Sequence, residues 1–153
     1  MQNTDGVQGA IVVTDPTNED EMRLRDDYVA EAVLFLQDWW HKDGMKQRTG
    51  LDSEPFVWVD NLQSFLVNGK ADRYEGCTNQ NPVPEDCAND CSRYNYMSMV
   101  KVQGGETYRL RIIGGATLVG VNVMIGDHKM TVVEADGTLV QPFEVDNLEV
   151  MPG

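Results

Sequence analysis

Metal binding or nucleophilic chemistry in this chain would have to draw on two histidines, His41 and His128, and three cysteines, Cys77, Cys87 and Cys91. A blue copper centre needs two His, a Cys and usually a weak axial Met held together. Here no Cys precedes a His at short spacing, and the two histidines stand far apart. His41 follows Trp39-Trp40 where a strand should end, and His128 sits in a turn between Ile125 and Gly137. Both read as packed or hydrogen-bonded structural residues before they read as ligands. The eight methionines are scattered, as gap-filling side chains are, and form no copper-carrying tract. Neither a Gly-rich phosphate loop nor a nucleophile elbow is present.

The cysteines fall as Cys77-x9-Cys87-x3-Cys91 with no histidine beside them, which argues against a structural zinc site. They lie in a stretch from Tyr74 to Tyr94, rich in Asn, Asp, Pro and Gly, that reads as a long irregular loop. Such a loop packs poorly, and a disulfide staple within it would hold it. Closing Cys77 to Cys87 would constrain roughly ten residues and contribute about 2.5 to 3 kcal/mol in the chain-entropy model. A staple implies an oxidising compartment. It also leaves an odd cysteine that needs a partner outside this chain. No Asn-x-Ser/Thr sequon adds a second sign of secretion.

The 153 residues carry 25 acidic and 12 basic side chains, a formal charge of −13. So negative a surface repels phosphate backbones, and no Lys/Arg cluster offers a local exception. Nucleic acids and anionic membranes are thereby excluded as partners. The longest purely apolar run is Ala32 to Leu36, too short to span a bilayer. The first twenty residues show no signal-peptide pattern. Apolar residues make up 41% of the chain, which fits a globular domain, and the length suits one core rather than two.

The elements that must position these residues are mostly strands. Ala10 to Val13 is a short β-branched run ended by Asp15-Pro16, and Thr14 to Asp27 reads as a polar, acid-rich surface linker. Ala32 to Leu36 reads as a strand covered on both faces. Asp43 to Gly50 has the marks of a short helix, with Asp43 as N-cap, Lys46 and Arg48 late, and Gly50 at the C′ position. Ser64 to Val67 is a strand closed by the turn dipeptide Asn68-Gly69. Tyr94, Tyr96, Ser98, Val100 and Val102 then alternate with a second face. Tyr108, Leu110 and Ile112 alternate with Arg109 and Arg111, predicting a strand with its charges outward. Val119, Val121, Val123 and Ile125 repeat the pattern after a break at Gly114-Gly115. Met130 to Glu134 and Phe143 to Val150 add two strands, separated by Asp136-Gly137 and Pro142. Short strands with Gly/Pro punctuation predict an all-β sandwich with one short helix.

Several segments, taken in order, also carry a family resemblance. They are VLFLQDWWHKDG (Val33 to Gly44), EPFVWV (Glu54 to Val59), FLVNGK (Phe65 to Lys70), VQGGETYRLRIIGG (Val102 to Gly115) and the stretch from Ile125 to Gly153. Together they resemble the second cupredoxin domain of three-domain multicopper oxidases, most closely the ascorbate oxidase and laccase branch. The opening MQNTDGVQGAIVVTDP is similar to the end of the family's first domain. The resemblance implies a Greek-key cupredoxin sandwich, incomplete at its C-terminus. Residues 1–14 would end a preceding cupredoxin domain, 15–27 would be a linker, and 28–153 would form the middle, plastocyanin-like domain. It implies a fragment of a longer, secreted oxidase.

The family's copper ligands, a His-x-His in the first domain and a His-Cys-His in the third, are not in this sequence. The resemblance therefore implies copper in the parent and none bound by this chain. The domain would space the first and third cupredoxin domains, its partners, and line the substrate pocket. The parent would oxidise a small reductant one electron at a time and reduce dioxygen to water. The isolated chain would be inactive. The resemblance pairs Cys77 with Cys87 and sends Cys91 to the first domain. It sets Trp58 against the reducing substrate, whereas a Trp between Val57 and Val59 reads, on its residues alone, as core or interface. Ascorbate is the first substrate implied, with phenols or ferrous iron as alternatives. A reading from another class, a non-enzymatic β-sandwich interaction module, also accommodates the residues.

Overall fold

The computed structural model describes residues 2–59, 62–71 and 98–152. Cys77, Cys87, Cys91, Tyr94 and Tyr96 lie outside the described residues. The largest sheet among the described residues has three strands, with β1 (Ala30–Trp39) at its centre. The apolar run at Ala32 to Leu36 is the middle of this strand. It is half-buried as far as Phe35 and fully buried only at Leu36, so it is less covered than its composition suggests.

β1 divides itself between two partners. Its first seven residues pair in parallel with β3 (Tyr108–Gly114), from Ala30↔Tyr108 to Leu36↔Gly114. Its last four pair antiparallel with β2 (Ser64–Val67), from Leu36↔Val67 to Trp39↔Ser64. Where β2 ends, Asn68 takes over the ladder. It stands at φ 52 with Gly69 at φ 72, the left-handed pair that the Asn-Gly signal predicts. Its N–H donates to the Phe35 carbonyl at 2.8 Å. Its Oδ1 accepts from the Phe35 N–H and its Nδ2 donates to the Val33 carbonyl, each at 2.8 Å. One side chain thus satisfies backbone groups that a longer β2 would have bonded.

Two small sheets complete the described strands. β5 (Met130–Ala135) and β6 (Thr138–Val145) form a hairpin closed by Asp136 and Gly137, both at positive φ. Pro142, read from sequence as a separator, lies inside β6, where the register shifts between Val132 and Glu134 leave the chain irregular. That is where a strand tolerates a residue without an N–H. The stretch Phe143 to Val150 is therefore not one strand: it breaks at Asp146-Asn147 and resumes as β7 (Leu148–Val150). β7 pairs antiparallel with β4 (Val121–Val123), all that forms of the alternation from Val119 to Ile125. Ser98 to Val102 forms no strand, despite its alternation.

Among the described residues, helical content exceeds the expectation by one α-helix and a short 3-10 turn. α2 (Gly44–Leu51) has Asp43 as its cap, as the sequence suggests, but runs past Gly50 to a C-cap at Asp52. α1 (Glu19–Leu24), followed by a short 3-10 turn, sits inside the stretch read as a linker. The signal was present: Asn18 accepts from the Asp20 and Glu21 N–H groups, and three acids fill the first turn. Residues 10–13 form no strand and leave Ile11 85% and Val13 79% exposed.

The interior is partly polar. Beside buried Leu36, Trp40 and Ala116 lie Gln37, Asp38 and Arg109. Asp38, 2% exposed, accepts through Oδ2 from the Thr117 N–H, the Thr117 hydroxyl and the Leu118 N–H. Trp40 donates its indole N–H to the same hydroxyl at 3.2 Å. Gly114 and Gly115 are close-approach positions rather than a break. A Cβ on Gly114 would meet the Met151 carbonyl at 2.7 Å, and one on Gly115 would run into the Phe35 ring.

The clearest departure concerns Arg109 and Arg111, which do not point outward. Arg109 is only 7% exposed and pairs with Glu134 of β5 and, at 3.7 Å, with Glu31 of β1. Its guanidinium also lies 5.9 Å from the centre of the Tyr28 ring. Arg111 donates to both oxygens of Glu31, at 2.8 and 3.2 Å, and approaches Glu21 of α1 at 3.6 Å. Period-two alternation identified the face but not its surroundings, because the carboxylates that cover it come from elsewhere in the chain.

Hydrogen bonds from Arg111 hold the Glu31 carboxyl far below its ordinary 4.5, at about 2, against a desolvation that pushes it up. Its contribution to stability is therefore complete above about 4.5 and is lost as pH falls towards 2. Glu31→Gln should destabilise the chain by about 2 kcal/mol at neutral pH. It should also flatten the acid-side loss of stability in that window, as read by urea denaturation at stepped pH. Asn68→Gly, which keeps the positive φ accessible but removes the side-chain bonds, should cost about 1 to 2 kcal/mol in the same assay.

Candidate functional site

Trp58 is held in place by one carbonyl. α2 is fixed at its N-terminus by Asp43, which accepts from the Met45 and Lys46 N–H groups at 2.8 and 3.3 Å. Asp5, from the N-terminal turn, accepts from the Gly44 N–H at 2.8 Å. At the other end the Gly50 carbonyl receives three donors: the Ser53 N–H, the Ser53 hydroxyl and the Val57 N–H, at 3.2, 2.7 and 3.0 Å. The chain after α2 is thereby folded back against the helix. A Cβ on Gly50 would stand 3.0 Å from the Val57 carbonyl, so glycine permits the close approach.

This fold-back creates a half-open groove of about 260 Å³. Lys42, Lys46, Gln47 and Gly50 bound it from the α2 region, and Val57, Trp58 and Val59 from the returning segment. Gln47 is steadied by a hydrogen bond from its amide to the Lys42 carbonyl at 3.0 Å. Trp58 is 65% exposed, so it is no core residue, and Phe56 lies 6.0 Å from it, ring to ring. An exposed indole beside a groove bounded by two lysines can stack a flat, conjugated molecule.

The other residues singled out from sequence are not brought here. His41 is exposed, with its backbone N–H bonded to the Gln63 side chain at 2.8 Å. His128 is exposed too, its Nδ1 lying 2.7 Å from the Gly126 carbonyl oxygen. Among the described residues no three His, Cys, Asp or Glu side chains converge as metal ligands would. Sequence reasoning missed Lys42 and Lys46 as groove residues. The helix they flank was legible, but the return of Val57 to the Gly50 carbonyl had no sequence signal beyond a glycine and a serine.

Comparison with known proteins places these features in a family. Residues 30–153 match the family model described as multicopper oxidase. An L-ascorbate oxidase of Cucurbita maxima is 34% identical over all of this chain, and a laccase (Laccase-3) of Thanatephorus cucumeris is 29% identical over 99% of it. The chain spans only 26% and 24% of those two proteins. The crystal structure of a laccase from Botrytis aclada superposes on 82% of this chain, and the chain on 22% of that structure, with a TM-score of 0.59 at 23% identity. The fold is thereby the cupredoxin-like, mostly β architecture of those oxidases. Gly50→Ala should push Val57 and Trp58 away from α2, the crowding set against the helix propensity that alanine gains. A changed Trp58 indole N–H resonance beside an otherwise conserved NMR spectrum would verify it.

Proposed function

The chain belongs to the multicopper oxidase family, and we propose that it is the middle domain of a longer oxidase acting on a small, ascorbate-type reductant. Residues 1–14 end a preceding cupredoxin domain, 15–27 join it, and 28–153 form the middle one. In the parent, copper held by the first and third domains would supply the electron transfer, four one-electron oxidations of the reductant and four protons being needed to turn one dioxygen into two waters. Among the described residues nothing fits a copper centre: His41 and His128 occupy separate exposed turns and no ligand cluster forms.

The observation that carries the reading is Trp58, an exposed indole fixed beside a groove in a chain that aligns along its whole length with ascorbate oxidases. In this role Trp58 orients the reductant's conjugated plane, and the walls from α2 exclude part of its water. Exposed apolar side chains support the outer domains as partners. Ile11 and Val13 on the N-terminal segment, and Met124 and Phe143 on the strands' side, stand in water here. Burying them would stabilise a larger assembly by about 25 cal/mol per Å². The parent is exported, its Cys77 and Cys87 bridged and its Cys91 paired with the first domain.

Two measurements test this. The purified chain, treated with copper and desalted, should hold no stoichiometric metal by elemental analysis; one tightly bound copper with a blue band would overturn the reading. Non-reducing peptide mapping should find Cys77 joined to Cys87 and Cys91 free. A dominant bridge from Cys91 to either would show the domain to be misassigned.

A further inference from the structure

Asn68-Gly69 is the one Asn-Gly pair in the sequence. In such a pair the glycine backbone nitrogen can attack the asparagine carboxamide, because no side chain shields it. Asn68, Gly69 and Lys70 are all exposed, so water reaches them. A Cβ on Gly69 would meet nothing within 4 Å, and the Gly69 N–H donates to no partner among the described residues. An unhindered nitrogen and a primary carboxamide therefore stand in adjacent residues.

The folded chain holds the carboxamide away from that nitrogen. Asn68 Oδ1 accepts from the Phe35 N–H and Nδ2 donates to the Val33 carbonyl, each at 2.8 Å, and Nδ2 donates again to Ser98 Oγ at 3.3 Å. The turn is closed by the Val67 N–H on the Lys70 carbonyl at 2.8 Å and the Lys70 N–H on the Val67 carbonyl at 3.1 Å. Attack requires the carboxamide to leave β1 and swing over Gly69, so its side-chain bonds must break first. β2 has only four residues, all half-buried. So short a strand opens at less cost than the whole domain.

We propose that Asn68 is a modification site whose reactivity is gated by release of β2 from β1. In the open chain the Gly69 nitrogen bonds to Asn68 Cγ. The Cγ–Nδ2 bond breaks, and the amide leaves as ammonia with the proton that the Gly69 nitrogen gives up. Water then opens the cyclic imide at either carbonyl, giving aspartate or isoaspartate; nothing is oxidised or reduced. Neither product restores the clamp. Aspartate has lost the donor to the Val33 carbonyl and sets a carboxylate against that oxygen. Isoaspartate adds a methylene to the backbone beside the Leu36↔Val67 pair and spoils the register there. A transient opening of β2 thereby becomes a permanent one.

Incubation of the 153-residue chain at mildly alkaline pH, native and unfolded in guanidinium, tests both the site and its gate by peptide mass spectrometry. In guanidinium the peptide containing Asn68 should gain the mass of an amide-to-acid conversion and split into aspartate and isoaspartate forms on chromatography. Gly69→Ala should slow this severalfold in guanidinium, where folding plays no part. The native chain should react at least about tenfold more slowly than the unfolded one. No conversion in guanidinium would overturn the site, and equal native and unfolded rates would overturn the gate. The converted chain gains negative charge and separates by anion exchange; it should unfold at lower urea than the parent. Asn68→Asp, with an unaltered backbone, should do the same. If both unfold at the parent's urea concentration, the clamp is not what the reaction destroys and the proposal fails.

Discussion

Placing a buried and a half-buried guanidinium side by side obliges several elements to deliver carboxylates to one spot. Arg109 and Arg111 sit two apart on β3, so their side chains share a face. Glu31 reaches them from β1, Glu134 from β5 and Glu21 from α1. A lone buried ion is too costly to leave unpaired, so the sheet, the hairpin and the helix must meet there. Such a cluster adds less net stability than apolar packing of the same volume, but it fixes register. Slipping β3 by one residue against β1 would turn both arginines to the opposite face.

That arrangement explains why sequence reading succeeded in some places and failed in others. Signals written within a few residues were legible: the Asp43 cap, the Asn68-Gly69 turn, the Asp136-Gly137 hairpin and the β3 alternation. Features that depend on distant partners were not. Arg109 looks like a surface residue until Glu134 is brought over it. Ser98 to Val102 alternates as well as β3 does, yet no strand forms there. Asn18 was a missed local signal, hidden because an acidic, polar stretch reads more readily as a connection than as a short helix.

The candidate site divides the same way. Trp58 could be singled out because its neighbourhood resembles a family motif, and the structure leaves it exposed rather than in the core. The residues opposite it could not. Lys46 enters the groove only because Ser53 and Val57 both donate to the Gly50 carbonyl. That junction draws its geometry from the absence of a side chain at Gly50, which no charge or hydropathy pattern reports.

The division of β1 between two partners has a consequence for the order in which the chain assembles. The β5–β6 hairpin joins neighbours in sequence, and its short turn closes on a microsecond scale. The parallel pairing of β1 with β3 instead requires the ends of a long intervening stretch to meet. The entropy of that closure is lost before any of its contacts form. Local elements therefore form early and the parallel pair late. Glu134 lies 25 residues from Arg109 whereas Glu31 lies 80 from Arg111, so by loop-closure entropy the pairing with Glu31 is the costlier of the two to form.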